Sequence, residues 1–390
     1  MPVRITHVIN SLGVGGAEIL LYRLLRTLPS HEFQSQVISL IGTGEFTAKI
    51  EELGVPVHNI GMSSALPNPR KFGRVARAVR AFRPDVVHTW MYHANLIGGA
   101  AAKLTRRGSI LWSLHASDLD RSALKPATFA VIKACQYVSR IIPSSIVATA
   151  QSAAQLHARL GYPEEKIVWI ANGSDIDQFK RDTEAREQVR RELSISPDAF
   201  VIGQFGRFNP QKDHENFVRA AGLLGERAPH ARFLLCGLGV DWENTELVSW
   251  IDRHAARERF HLLGSRNDMP RLAASLDVAS LSSSWGETTP LVISESMACE
   301  VPAVVTDIGD SAHLVGETGR VVPPKDPQAL ADAWHALAQL PAEELRALGR
   351  AARARVAENF NLTKMTARYA QLYTELAGAG KRPRRPDGVA

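Results

Sequence analysis

The sequence predicts an α/β protein built of two doubly wound halves, each a parallel sheet covered by helices. Three observations predict it. Short β-branched runs alternate with amphipathic stretches along most of the chain. The alternation is interrupted once, between residues 161 and 182, by the turn-rich run GYPEEKIVWIANGSDIDQFKRD. The length, 390 residues, suits about two ordinary domains.

In chain order, the strands of the first half are expected at 4–9, 36–40, 86–89, 110–114 and 146–150. Between the second and third of these, residues 70–83 read as a helix, with Phe72, Val75, Val79 and Phe82 on one face and Arg70, Arg74, Arg77 and Arg80 on the other. The second half is expected at 201–205, 233–236, 261–263, 278–281 and 303–306, the two halves being joined near 180–195. Residues 363–377 carry Met365, Tyr369, Leu372, Tyr373 and Leu376 at helical spacing, so this helix must bury one face. The Gly/Pro/basic remainder at 379–390 is expected to be disordered.

Composition narrows the function. At 45% hydrophobic and 22% charged the chain is ordinary for a globular protein. It has no apolar run of about 20 residues, hence no expected spanning helix. MPVRITHVINSLG enters a strand pattern at once, without the apolar stretch of a signal peptide. Cys135, Cys236 and Cys299 lie far apart, which suits reduced structural thiols and a cytoplasmic setting. The net charge of +6 is unevenly spread: residues 61–109 hold nine Lys/Arg against one acid, Asp85. Two readings of that imbalance stay open, a solvated helix face and an anionic membrane surface. Nucleic acid fits poorly, because no aromatic residues interleave with the charges.

Doubly wound sheets bind ligands on the loops at the carboxyl ends of their strands. The first such loop, SLGVGGAE at 11–18, brings Gly15 and Gly16 to a helix start where an anion is favoured. It is not a dinucleotide fingerprint, since Glu18 stands where the third glycine belongs and the second strand ends without an acid. In QFGRFNPQKDHENFVRA, Arg207 and Lys212 flank a polar loop before a helix expected near His214–Glu215, a fork and a point charge suited to a diphosphate. In SSSWGETTPLVISESMACEVPAVVTDIGD, Glu287 and Glu295 are separated by seven residues, with a helix expected near Pro290. Each carboxylate can accept two hydroxyl hydrogen bonds from a sugar or ribose, and the amides of 289–291 are expected to face phosphate or sugar oxygens.

These motifs resemble the family-4 retaining glycosyltransferases, the group 1 glycosyl transferases of GT-B fold. The resemblance runs through GVGGAE at 13–18, SLHAS at 113–117, IANGSDIDQF at 170–179, GRFNPQK at 206–212, LGSRNDMP at 263–270 and the Glu–seven residues–Glu segment. It implies two Rossmann-like domains facing each other across a cleft. The N-terminal, acceptor-binding domain would span 1–180 and take back the helix 362–378; the C-terminal, nucleotide-sugar-binding domain would span 181–361. It implies transfer from a nucleotide-diphosphate sugar, UDP being favoured, with retention and without a metal or other cofactor. Arg207 and Lys212 would hold the diphosphate, and Gly15 and Gly16 would let the first loop close over the phosphates and acceptor. Glu287 would hold the donor sugar and Glu295 the ribose, with Thr289, Pro290 and Leu291 on the phosphate side. Arg266 would line the base, and His115 would sit beside the sugar and the reacting phosphate. The expected partners are the nucleotide sugar and a lipid-linked or membrane-held acceptor of cell-surface polysaccharide synthesis. The enzyme would be peripheral on the inner face of the cell membrane, held by the basic helix, with no nucleic-acid partner. A sugar-nucleotide epimerase or a non-catalytic binder of the same fold is the alternative.

The chain departs from the family pattern at Thr288–Thr289, where Gly and an aromatic are usual, and at Glu300, where Gly is usual. Asp118-Leu119-Asp120 imitates a metal-binding acid pair but reads as a solvated loop. His88 and His93 read as strand-end packing or acceptor contacts, and Asn172-Gly173 as a turn between the halves.

Overall fold

The computed structural model describes residues 1–13, 15–62, 68–119, 126–225 and 227–381. They fall into two compact units, Met1–Ala171 with Thr363–Ala390, and Asn172–Leu362. The division places residues 172–180 in the second unit, where the sequence suggested a boundary at 180. What draws them there is backbone pairing: Ser174 bridges Asn361, its N–H donates to Phe360 O and its carbonyl accepts from Leu362 N. Gly173 is therefore not in a turn, and a Cβ on it would press into Leu362 Cα at 2.6 Å.

The first unit carries β1 (Val3–Ile9), β2 (Phe33–Ser39), β3 (Val57–Asn59), β4 (Val86–Trp90), β5 (Ser109–Leu114), β6 (Ser145–Ala148) and β7 (Ile167–Trp169). They form one sheet in the order β3-β2-β1-β4-β5-β6-β7, every pair parallel. The second unit carries β8 (Phe200–Phe205), β9 (Ala231–Cys236), β10 (Phe260–Leu262), β11 (Val278–Leu281), β12 (Ala303–Thr306) and β13 (Gly319–Val322), in the order β10-β9-β8-β11-β12-β13 and also parallel. Both sheets thus reverse direction of growth at one place, between β1 and β4 and between β8 and β11. A loop leaving either strand there opens into a crevice that no crossover helix fills.

Helices cover both faces of a parallel sheet, so its strands are apolar on both faces. All six residues of β8 and all four of β12 are buried. Phe217 packs edge to face against both Phe233 and Trp334 in the core of the second unit. The short edge strands β3, β7 and β13 escape sequence reading for the opposite reason. Each has three or four residues, and the solvent-facing positions, Arg320 and Val321 in β13, break any apolar run.

The helix Pro69–Phe82 forms as its pattern requires. Asn68 Oδ1 caps Arg70 N–H at 2.9 Å, Pro69 occupies the first turn, and Arg83 closes the helix in the left-handed region. Val75 and Val79 are buried while Arg70, Arg74, Arg77 and Arg80 are exposed. Arg74 is nonetheless engaged, donating to Ile60 O at 3.0 Å and Asn59 O at 3.1 Å. No described helix is long and apolar enough to cross a membrane.

The final helix, Leu362–Lys381, belongs to the first unit. Met365, Tyr369, Leu372, Tyr373 and Leu376 are all buried, as their spacing demands. Ser109 Oγ donates to Leu376 O at 2.8 Å, and Thr27 and Thr366 hydroxyls meet at 2.6 Å. The helix continues past residue 378 to Lys381, so the expected tail begins later than 379; its remainder, 382–390, lies outside the described residues, as does Asp120.

Candidate functional site

The carboxyl edge of the second sheet gathers the charged residues singled out above. After β8 the chain runs through Gly206 and Arg207 into a single 3-10 turn, Pro210–Lys212, capped by Asn209 Oδ1 on Gln211 N–H at 3.0 Å. Asp213 then turns left-handed and the helix His214–Gly225 begins where it was expected. Lys212 is held at both ends. Its carbonyl accepts from Gln204 Nε2 and Ser282 Oγ, at 3.3 and 2.8 Å, and its ammonium lies 2.6 Å from Glu287 Oε1. Arg207 is exposed and pairs with no described residue.

Glu287 follows β11, the strand on the other side of the switch point. Its Oε1 accepts from Lys212 Nζ and from Ser283 Oγ, both at 2.6 Å, with the carboxylate almost wholly buried. Two further contacts fix its backbone. Asp310 N–H donates to Thr288 O at 3.0 Å, and Gly309, left-handed at φ +60°, lets the loop after β12 lie against Glu287 O, where a Cβ would collide. The helix Leu291–Ala298 starts one residue after Pro290, which caps it without a side-chain bond. Pro290 has no N–H, so it cannot be one of the amide donors expected over 289–291; the first-turn amides of Leu291 and Val292 lack intrahelical acceptors. Thr289 is buried and its carbonyl accepts from Asn172 Nδ2 at 3.4 Å. Glu295 is buried within that helix, two turns of chain beyond Glu287.

Arg266 lies in the loop after β10, zipped to the loop after β9 by Gly237 N–H to Gly264 O and Gly264 N–H to Val240 O, each 2.8 Å. Its guanidinium forks onto Asp268 at 2.8 Å through two nitrogens and reaches Glu192 at 2.9 Å. Those carboxylates raise its pKa further and engage the guanidinium of a residue expected to line the base. Glu300 turns out left-handed at φ +64°, the conformation that explains why glycine is usual there; its carboxylate stays 3.7 Å from Arg181.

The other predicted residues belong to the first unit. Gly15 is the N-cap of the helix Gly16–Thr27, in extended conformation, and a Cβ on Gly16 would meet nothing within 4 Å. At Gly15 the space a Cβ would take is filled by the Glu18 carboxylate, so only the Gly16 side of this helix start is open. His115 follows β5 and stacks on Trp90 with ring centroids 5.7 Å apart. Its Nε2 is buried without a partner, and burial lowers its pKa to about 4, so it is neutral at pH 7. His88 is not at a strand end but in the middle of β4, held between Tyr373 Oη at 2.7 Å and Ser113 Oγ at 2.6 Å. Trp90 Nε1–H donates to His7 Nδ1 at 3.3 Å.

Sequence reasoning missed Ser282, Ser283, Gln204 and Gly309, the residues that hold Lys212 and Glu287 in place. SSSW reads as a polar loop, and no spacing separates its second serine from its neighbours. The strand order that brings β8 beside β11 is what gives them meaning.

Two family models match the chain, "Glycosyltransferase Family 4" over residues 14–178 and "Glycosyl transferases group 1" over 199–339. The chain is 26% identical over 234 residues to the UDP-Gal:alpha-D-GlcNAc-diphosphoundecaprenol alpha-1,3-galactosyltransferase of Escherichia coli, a match spanning 59% of this chain and 60% of that one. It is 27% identical over 296 residues to the N-acetyl-alpha-D-glucosaminyl L-malate synthase of Bacillus anthracis, spanning 74% of each. Among solved structures, Anabaena HepE in complex with UDP-glucose superposes with a TM-score of 0.83 at 21% identity, covering 96% of this chain and 100% of that one.

Proposed function

This chain belongs to the group 1, family-4 glycosyltransferases of GT-B fold, and from that premise we propose that it moves a sugar from a UDP-sugar to a lipid-linked acceptor, with retention and without a metal. The observation that carries the donor half is the Lys212–Glu287 contact at the switch point of the second sheet, 2.6 Å long, with the carboxylate buried and the lysine partly exposed. A leaving nucleotide diphosphate gains negative charge as the glycosidic bond breaks, and Arg207 and Lys212 supply positive charge beside it. Such preorganised groups contribute about 10²–10³ in rate. Glu287 accepts from hydroxyls of the donor sugar and Glu295 from those of the ribose, while the amides of Leu291 and Val292 face the phosphates.

His115, being neutral at pH 7, serves as a hydrogen-bond partner for a sugar hydroxyl rather than as a cation. Gly16 leaves the start of the first helix open for phosphate and acceptor to approach, with Gly15 making room for the Glu18 carboxylate beside it. Arg266, whose guanidinium is engaged by Asp268 and Glu192, offers the base its loop backbone and planar face.

UDP is favoured because the Anabaena neighbour is described with UDP-glucose, and a lipid-linked acceptor because the Escherichia coli relative's name specifies one. The exposed arginines of the helix Pro69–Phe82 support a peripheral position on an anionic membrane, each basic group near such a surface contributing about 1 kcal/mol. The test is incubation of the protein with radiolabelled UDP-sugars and a polyprenyl-diphosphate sugar. Labelled glycolipid supports the reading. A free epimer of the donor, or no conversion with every UDP-sugar and acceptor, overturns it.

A further inference from the structure

Glu287 Oε1 receives two hydrogen bonds of equal length, and the two donors differ in what they can do next. Lys212 has three N–H groups at the end of a flexible chain, and its side chain keeps 17% of its exposure. It is able to swing toward a phosphate. Ser283 has one hydroxyl proton, directed to Glu287 Oε1 at 2.6 Å, and is fully buried. Its own carbonyl is fixed in turn by Thr306 Oγ1 at 2.6 Å, from the last residue of β12, which is also fully buried. The serine is thus anchored to the framework of the sheet from both sides.

We infer that Ser283 is a positioning residue for transfer: it holds the Glu287 carboxylate in register for the donor sugar when Lys212 turns its charge to the diphosphate. This rests on the proposed transferase activity and deepens it. Without the serine, the carboxylate would lose its buried, rigid donor, and the cation needed by the leaving group would compete with the group that orients the sugar. With it, the two demands are separated between a mobile donor and a rigid one.

The experiment is a double-mutant cycle on the full-length chain with Ser283→Ala and Glu287→Gln, reading kcat, KM for the UDP-sugar, and UDP affinity by calorimetry. Ser283→Ala removes one oxygen from a packed site and adds no volume. It should lower kcat about tenfold or more, the weight of one hydrogen bond to a charged group, while UDP affinity stays within about twofold of wild type. In the Glu287→Gln background the same change should cost less than about threefold, because the serine acts only through the carboxylate. An unchanged kcat in Ser283→Ala, an equal loss in both backgrounds, or a parallel fall in UDP affinity each overturn the inference. A wild-type protein that transfers no sugar overturns the proposed function instead.

Discussion

The Tyr373 hydroxyl lies 2.7 Å from Nδ1 of His88, so the last helix of the chain is hydrogen-bonded to the middle of β4, deep inside the first unit. Ser113 Oγ occupies the other ring nitrogen at 2.6 Å. One of these nitrogens donates and the other accepts, and both partners are needed to satisfy a fully buried imidazole. Tyr373→Phe strands one nitrogen and should lower the stability of the first unit by about 1–3 kcal/mol in urea unfolding. A chain ending at Asn361 removes Tyr369, Tyr373 and their apolar neighbours altogether and should fail to fold there. A chain ending at Lys381 should match the full-length protein. A folded, active protein ending at Asn361 would exclude this account of the helix.

Acid should weaken the first unit through its histidines. Burial lowers the pKa of His7 to about 3 and of His115 and His157 to about 4, from an ordinary 6.5, and that of His88 well below 6.5. In the folded state these rings stay neutral, while the unfolded chain takes up protons as the pH falls past 6.5. The unfolded state then binds more protons, so stability is complete above about pH 6.5 and falls toward pH 4, by up to about 1.4 kcal/mol per pH unit for each histidine. Melting temperatures at pH 7.5, 6 and 5 should drop steeply across the series. A flat profile would show that the imidazoles are hydrated or protonated in the fold.

Removing the cations should separate charge stabilisation from binding. Lys212→Ala takes the positive charge from a buried carboxylate as well as from the diphosphate, and Arg207→Ala takes only an exposed charge. Both should reduce turnover, by about 10²–10³ for a preorganised group, with Lys212→Ala also less stable. EDTA should leave the wild-type rate unchanged. Loss of activity on chelation that Mn²⁺ restores would contradict metal-free transfer.

The two glutamates should divide their work. Glu295→Gln should weaken UDP binding, and Glu287→Gln should leave UDP affinity nearly intact while turnover collapses. Calorimetry with UDP on both variants decides it, and equal losses would end the division.

Membrane attachment should depend on three arginines rather than four. Arg74 is committed to the carbonyls of Asn59 and Ile60, so its replacement perturbs β3. Changing Arg70, Arg77 and Arg80 to Glu keeps that contact and reverses the charge of the outer face. Wild type should co-sediment with anionic vesicles at low salt and be released as salt rises, and the triple variant should not sediment. Wild-type indifference to anionic vesicles removes the membrane from the proposal and leaves glycosyl transfer standing.

The central strands, the amphipathic helices and the charged candidates at the carboxyl edge of the second sheet are legible because each leaves a local trace: a β-branched run, a 3.6-residue period, a glutamate pair at fixed spacing. What was not legible depends on pairing distant in sequence. β13 is a strand only because β12 lies beside it. Ser283 matters only because the fold brings Lys212, 71 positions upstream, to the same carboxylate oxygen. Arg266 has Asp268 within GSRNDM itself, and it is Glu192, from a helix far earlier in the chain, that completes its ion pairs. Asn172-Gly173 reads as a turn because the segment that Ser174 bridges, at Asn361, is invisible from there.

The first unit is closed by a helix that the ribosome makes only after the whole of the second unit. Residues 1–171 can pair their strands early, but the rings of His88 and Phe33 have no cover from Tyr373 until the final helix emerges. The second unit, Asn172–Leu362, is continuous and has all its strands before that moment. Synthesis from the N-terminus therefore sets an inverted order, in which the half made second is finished first and the half made first waits. During that interval its apolar edge is open to solvent, so a stalled or prematurely terminated chain exposes a chaperone target in its oldest residues rather than its newest.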